Sequence, residues 1–182
     1  MKTSVVIVCA GNSTRMGGVN KILLPLGERK VIGVTMQAFQ SCESVSEIVI
    51  VAREDDIPAI KAEAEAAGIT KLAACTTGGS TRQESVINGV RMISKNTELV
   101  AVHDGARPLV KPEHIEKAVK DASVFGGATL GVNSCETNRS DHFFCLFKLL
   151  LGFTGKTGKN IRSECCMREF YPKIFNSPKI LL

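Results

Sequence analysis

Ala10, Gly11, Ser13 and Thr14 are small residues in a stretch that also carries Arg15, and Lys21 lies just beyond. They follow directly on the apolar run Val5, Val6, Ile7, Val8 and Cys9. A strand that empties into a glycine-led loop lets backbone N–H groups face an anion closely, provided the side chains are small. Two cations beside such a loop neutralise a triphosphate and the extra charge of a crowded phosphorus during displacement. The alternative is a surface turn with two incidental cations. The dinucleotide fingerprint Gly-x-Gly-x-x-Gly and the phosphate loop Gly-x-x-x-x-Gly-Lys-Ser/Thr are both absent.

His103-Asp104-Gly105-Ala106-Arg107-Pro108 is a second polar stretch behind an apolar run. A lone aspartate at a strand end can hold Mg²⁺ through one oxygen, with water and phosphate oxygens as the other ligands. Equally, Asp104 can cap a turn and pair with Arg107. His103 reads as a packed or hydrogen-bonded histidine rather than a catalyst. Gly78, Gly79, Ser80, Thr81 and Arg82, with Ser85 after them, form a third group. This loop lets a nucleobase or ribose approach the backbone, with Ser85 donating a hydrogen bond. Ser80 or Thr81 also suits the N-cap of the following helix, and the two roles are compatible.

Elements that can position these groups alternate along the chain. Apolar runs at 3–9, 46–52, 72–75, 99–102 and 128–132 read as strands, and the Val/Ile-rich ones as strands buried on both faces. Residues 31–40, 83–93 and 112–125 have helical spacing, with Ile115, Ala118, Val119 and Ala122 on one face of the last. Asp55, Asp56 and Pro58 open a further helix that continues through 59–67 and closes at Gly68. Pro25 confines 22–26 to an edge or a turn. The rhythm predicts an α/β fold with a mostly parallel sheet and helices on both faces. All three polar loops then lie at the C-terminal ends of strands or just before a helix, where open α/β sheets bind ligands.

The chain has 182 residues, 44% apolar and 23% charged, which suits one soluble domain with a substantial core. Of the net charge of +5, residues 133–182 carry eight Lys/Arg against four Asp/Glu. The remaining body is nearly neutral, which argues against nucleic acid as a partner. No run is long enough for a membrane helix, and no signal-peptide pattern opens the chain, so a reducing cytoplasm is expected. Seven irregularly placed cysteines then read as free thiols. The body at 1–132 and the tail at 133–182 differ in character. The tail holds six of the eight Phe and four of the seven Cys and lacks the βα rhythm. It is expected to form a short helix near 142–151 with irregular structure around it, or no stable fold of its own.

Several motifs occur together, in register. They are Ala10-Gly11-x-x-x-Arg15-Met16; Lys21 followed by Leu23-Leu24-Pro25-Leu26; Gly78-Gly79-x-x-Arg82-x-x-Ser85-Val86-x-x-Gly89; and Val102-His103-Asp104-x-Ala106-Arg107-Pro108. Over residues 1–132 this resembles the 2-C-methyl-D-erythritol 4-phosphate cytidylyltransferase family. The resemblance implies a Rossmann-like nucleotidyltransferase fold that joins CTP to a sugar-alcohol phosphate with release of diphosphate, in non-mevalonate isoprenoid synthesis. It implies that Arg15 and Lys21 stabilise the pentacoordinate α-phosphate and that Asp104 holds Mg²⁺ or another divalent cation. It places Ala10, Gly11, Ser13, Gly79, Ser80 and Ser85 around CTP, and Arg107 on the methylerythritol phosphate. Ser13 stands where many members have a second glycine. Ribitol 5-phosphate cytidylyltransferases share these motifs, and a non-catalytic nucleotide-binding fragment is the further alternative. The family's Asp-Thr pair, dimerisation arm, Thr-Pro-Gln segment and late lysine have no recognisable counterpart in 133–182. The family homodimer is therefore in doubt, and the tail has the look of a changed reading frame, with the C-terminal part of the fold truncated or altered.

Overall fold

The computed structural model of the chain describes residues 1–11 and 20–130 and the backbone of 147–151. The segments at 12–19, 131–146 and 152–182 lie outside the described residues. Among the described residues the main sheet has six strands. In chain order they are β1 (Thr3–Val8), β4 (Val45–Ala52), β5 (Leu72–Thr77), β6 (Leu99–Asp104), β7 (Gly127–Leu130) and β8 (Phe147–Leu151). Two short strands, β2 (Pro25–Leu26) and β3 (Arg29–Lys30), form a separate hairpin around Gly27, whose φ of 64° suits a glycine turn. The helices are α1 (Val31–Gln40), α2 (Ile57–Ala66), α3 (Arg82–Arg91) and α4 (Pro112–Phe125).

The sheet runs β5-β4-β1-β6-β8-β7. β1 pairs in parallel with β4 on one side and β6 on the other, and β4 pairs in parallel with β5. The chain thus moves outward from β1 through β4 to β5, then crosses back to lay β6 on the far side of β1. This reversal is a topological switch point, and its crevice opens at the C-terminal ends of β1 and β6. Val8 there stands level with Asp104.

Both faces of β1, β4 and β6 are covered, which explains their unbroken apolar runs, while β5 at the edge is only partly buried. Val5 and Ile7 face a core that includes Ile32, Met36 and Phe39 of α1, Ile60 and Ala64 of α2, and Ile115 and Val119 of α4. Val6 faces the opposite way, with Val51, Val100 and Val102, onto Val86 and Val90 of α3. Ile32, Met36 and Phe39 are fully buried. Each such side chain contributes about 1.5–3 kcal/mol relative to exposure. α4 begins with proline in its first turn and ends at Gly126, with φ of 82°, whose N–H donates to the Ala122 carbonyl at 3.0 Å.

The C-terminal side departs from the sequence reading in two ways. β7 does not extend the parallel series; it pairs antiparallel with β8. β8 in turn lies antiparallel to β6, with Leu151 level with Leu99 and Lys148 level with Val102. A helix near 142–151 is therefore corrected to a strand over Phe147–Leu151, the rest of that range lying outside the described residues. Short apolar runs suit either state, and the open edge of β6 supplies backbone partners that only a strand can use.

At the opposite end of the sheet from the crevice, Glu47 of β4 is almost fully buried. Its carboxylate accepts hydrogen bonds from the Ser4 and Thr97 hydroxyls and from both the N–H and the hydroxyl of Ser94. Burial pushes its pKa up, but these hydrogen bonds outweigh it and hold the group below the ordinary 4.5. A depressed carboxylate pKa contributes stability that is present above the unfolded value and lost as pH falls through the folded one. Melting temperatures from pH about 6 to about 3 should therefore drop more steeply for the natural chain than for Glu47→Gln, which starts lower and stays flatter. Parallel curves would remove Glu47 as a source of the acid sensitivity.

Candidate active site

The three polar loops meet at the crevice, and each pair of them is joined by a contact. The first joins the loops after β1 and β5, where a Cβ added at Gly78 would collide with the Ala10 methyl; the Gly78 N–H also donates to the carbonyl of Ala52, at the end of β4, at 3.0 Å. The second joins the loops after β1 and β6: the Gly105 N–H donates to the Val8 carbonyl at 2.9 Å, and a Cβ at Gly105 would strike the Cys9 sulfur. In the third, Arg82 Nη2, at the start of α3, donates to Asp104 Oδ1 at 2.9 Å. The loops thus form a closed ring around the ends of β1 and β6.

The loop before α3 is built by its own side chains. Thr81 is the N-cap, its hydroxyl accepting from the Glu84 N–H at 3.1 Å. The Glu84 carboxylate accepts from both the hydroxyl and the N–H of Ser80, at 2.7 Å each, which hold its pKa down. The buried Ser85 hydroxyl accepts from the Gly79 N–H at 3.0 Å and donates to the Thr81 carbonyl at 2.9 Å. The expected Ser85 donor is thus engaged inside the loop, where it fixes the course of Gly78 and Gly79. The N-cap role expected of Ser80 or Thr81 falls to Thr81.

Asp104 accepts a second guanidinium bond, from Arg107 Nε to Oδ2 at 2.9 Å, so the pairing with Arg107 is present. The Arg107 N–H also donates to the Asp104 carbonyl at 3.1 Å, and the Arg107 carbonyl contacts His103 Nε2 at 3.0 Å. His103 is buried and stacks edge-on against Phe39 with ring centroids 5.0 Å apart. Desolvation lowers its pKa and favours the neutral ring. It packs the floor of the loop, as the sequence suggests.

A carboxylate offers about four lone-pair sites, so the two guanidinium bonds leave Asp104 with acceptor capacity, although the two cationic neighbours compete with a metal for it. Among the described residues no group of three or more His, Cys, Asp or Glu side chains gathers. The donor set therefore fits a hard divalent ion that takes one carboxylate oxygen and finds its other ligands on phosphate and water, as Mg²⁺ does.

Lys21 is half-buried at the head of a 3-10 turn, Lys21–Leu23, anchored by the buried Ile22. Among the described residues no carboxylate pairs with it. Arg15 and Ser13 lie outside the described residues. Gly11 is exposed, and a Cβ added there would meet nothing within 4 Å.

A cavity of about 270 Å³ opens beside this ring, lined by Ala10, Ala52, Arg53, Glu54, Thr77, Gly78 and Gly79. That is just under the roughly 300–1,000 Å³ of small-molecule sites, enough for part of a ligand. The sequence leads one to expect Ala10, Gly79 and the loop from Thr77 at such a site, but not Arg53 or Glu54. Arg53 is held by a two-pronged bond to the buried Asp56, Nε to Oδ2 at 2.7 Å and Nη2 to Oδ1 at 3.1 Å. The available signal is its position directly after β4, one more loop at a parallel strand's C-terminal end.

The family model for 2-C-methyl-D-erythritol 4-phosphate cytidylyltransferase matches residues 3–137. The protein of that name from Clostridium tetani is 35% identical over 137 residues, covering 75% of this chain and 55% of the relative. The crystal structure of 4-diphosphocytidyl-2C-methyl-D-erythritol synthase from Anaerococcus prevotii superposes with a TM-score of 0.60 at 25% identity, covering 80% of this chain and 62% of that one. The 2-C-methyl-D-erythritol 4-phosphate cytidylyltransferase of Thermus thermophilus gives 0.54 at 26% identity, covering 80% and 63%. The chain spans 55–59% of the length of the curated relatives it matches. With the parallel sheet, the switch-point crevice and the ring of loops all in place, these matches assign the family: the chain belongs to the 2-C-methyl-D-erythritol 4-phosphate cytidylyltransferases.

Proposed function

We propose that the chain binds CTP at the crevice and transfers its cytidylyl group to 2-C-methyl-D-erythritol 4-phosphate, releasing diphosphate. The observation that carries this reading is the ring of contacts joining the loops after β1, before α3 and after β6. In the proposed arrangement, base and ribose take the cavity walled by Ala10, Gly78 and Gly79. Ser80 and Ser85 act through the shape they give that wall. The triphosphate lies over the loop from Ala10 through Gly11 and Ser13.

An oxygen of the acceptor phosphate attacks the α-phosphorus of CTP in line, and the bond to the β-phosphate oxygen breaks. The attacking oxygen of the acceptor phosphate is already ionised, so no base is needed. Arg15 and Lys21 stabilise the extra negative charge of the pentacoordinate phosphorus. Arg107 contacts the acceptor phosphate. A divalent cation held by Asp104 supplies charge neutralisation to the triphosphate oxygens when bound. Orientation provides much of the remaining rate, since two bound anions otherwise repel.

Diphosphate release from CTP by the 182-residue chain, with methylerythritol phosphate and with ribitol 5-phosphate in parallel, tests this function. Turnover with the first acceptor supports it. Turnover with ribitol 5-phosphate alone moves the chain to the polyol class. Calorimetric CTP binding without turnover identifies a nucleotide-binding fragment.

A further inference from the structure

The Asp104 carboxylate is already matched by two guanidinium groups, one on each oxygen. Together the three groups carry a surplus positive charge, which repels a multivalent cation from the same place. One arginine must therefore withdraw before Asp104 can take a cation with full strength. Arg107 is poorly placed to do so. It lies three residues from Asp104, its own N–H donates to the Asp104 carbonyl, and its carbonyl is tied to His103. Arg82 differs in reach and exposure. It comes to Asp104 from 22 residues away, and its side chain is 53% exposed against 35% for Arg107. The backbone at the start of α3 is secured separately by Thr81, Glu84 and Ser85. Its side chain can therefore swing without loosening the helix.

We propose that Arg82 is the resident counter-ion of Asp104, that it yields this place to the incoming divalent cation, and that its guanidinium is thereby released toward the phosphates that arrive with it. This rests on the reading of Asp104 as the cation ligand. Two properties follow. Before nucleotide arrives, the carboxylate is held in position and partly neutralised, so the crevice needs no metal to keep its shape. The cation then binds in competition with an internal charge, which weakens capture of the ion alone. The planar fork of arginine suits both carboxylate and phosphate, so one side chain serves both states.

Titration of the ¹⁵N-labelled chain with MnCl₂, without nucleotide, tests this through paramagnetic broadening of the Gly105 and Arg107 amides. In Arg82→Gln the same broadening is expected at about two- to fivefold lower Mn²⁺, the range set by loss of one exposed ion pair. Arg82→Lys, which keeps the charge and loses the fork, should fall between the two. Equal or higher Mn²⁺ demand in Arg82→Gln overturns the proposal, as does absence of local broadening in both proteins. Asp104→Asn tests the underlying reading separately. Loss of broadening there supports Asp104 as ligand, while persistence places the ion elsewhere and removes the metal assignment itself. Amide shifts far from the crevice, unchanged between variants, establish that each one is folded.

Discussion

Alanine in place of Lys21 or Arg15 is expected to lower kcat about 10²–10³-fold while CTP affinity falls far less, the pattern of a group that acts on charge developing at the phosphorus. Lys21 has the features such a group needs. Its backbone is set by packing, because Ile22 is buried and the Leu24 N–H donates to the Lys21 carbonyl at 3.3 Å. No described carboxylate competes for its ammonium. A cation already paired would have to break that pair during reaction and would lose much of its effect. Steady-state kinetics with saturating acceptor, with CTP binding by calorimetry, separates the two contributions. Near-normal kcat in both variants contradicts the role given to the pair.

Enlarging Gly89 is expected to cause the largest loss of stability. Gly89 lies inside α3 at the point where the helix meets the sheet. A Cβ there falls against Val6 Cγ1 and 2.7 Å from Val51 Cγ2, both fully buried on central parallel strands. β-branched side chains held on both sides by strand neighbours cannot turn aside. Gly→Ala in a helix interior ordinarily gains about 0.8–1.0 kcal/mol, so a loss on Gly89→Ala reports the collision directly. For Gly89→Leu the helix must lift from the sheet, at about 3 kcal/mol, the upper part of the usual overpacking range. Thermal unfolding should show a melting temperature lower by roughly 6–12 °C for a domain of this size. Because α3 begins with Arg82 directly after its Thr81 cap and carries Ser85, the same displacement disturbs the Gly78–Gly79 wall, so nucleotide binding should weaken as well. An unchanged melting temperature would mean that α3 does not sit closely on β1 and β4.

The sequence made the parallel body legible because its signals are local. α1 and α4 have the boundaries that their apolar spacing and Pro112 imply, and Ile115, Ala118, Val119 and Ala122 are the buried face. β1 reads as a two-sided strand because every residue from Val5 to Ile7 meets a core. What stayed illegible depends on contacts between distant residues. The Arg82–Asp104 bond spans 22 positions and appears only once β6 has crossed back beside β1. Leu149, Leu150 and Leu151 have no period that tells strand from helix, and their pairing with β6 is decided by the free edge they meet. Arg53 and Glu54 lacked a glycine or a motif to mark them, so the wall they form emerged only from the fold. The roles proposed for Arg15 and Ser13 rest on motif spacing alone, both residues lying outside the described residues.

The central claim is that three loops at one end of the sheet form a single nucleotide site. Its most direct test is titration of the ¹⁵N-labelled chain with CTP and Mg²⁺, following the amides of Gly11, Gly79 and Gly105 together. All three should shift along one common binding curve, while amides near Glu47 at the opposite end of the sheet stay still. A folded spectrum in which these amides do not move, or move at unrelated CTP concentrations, contradicts it.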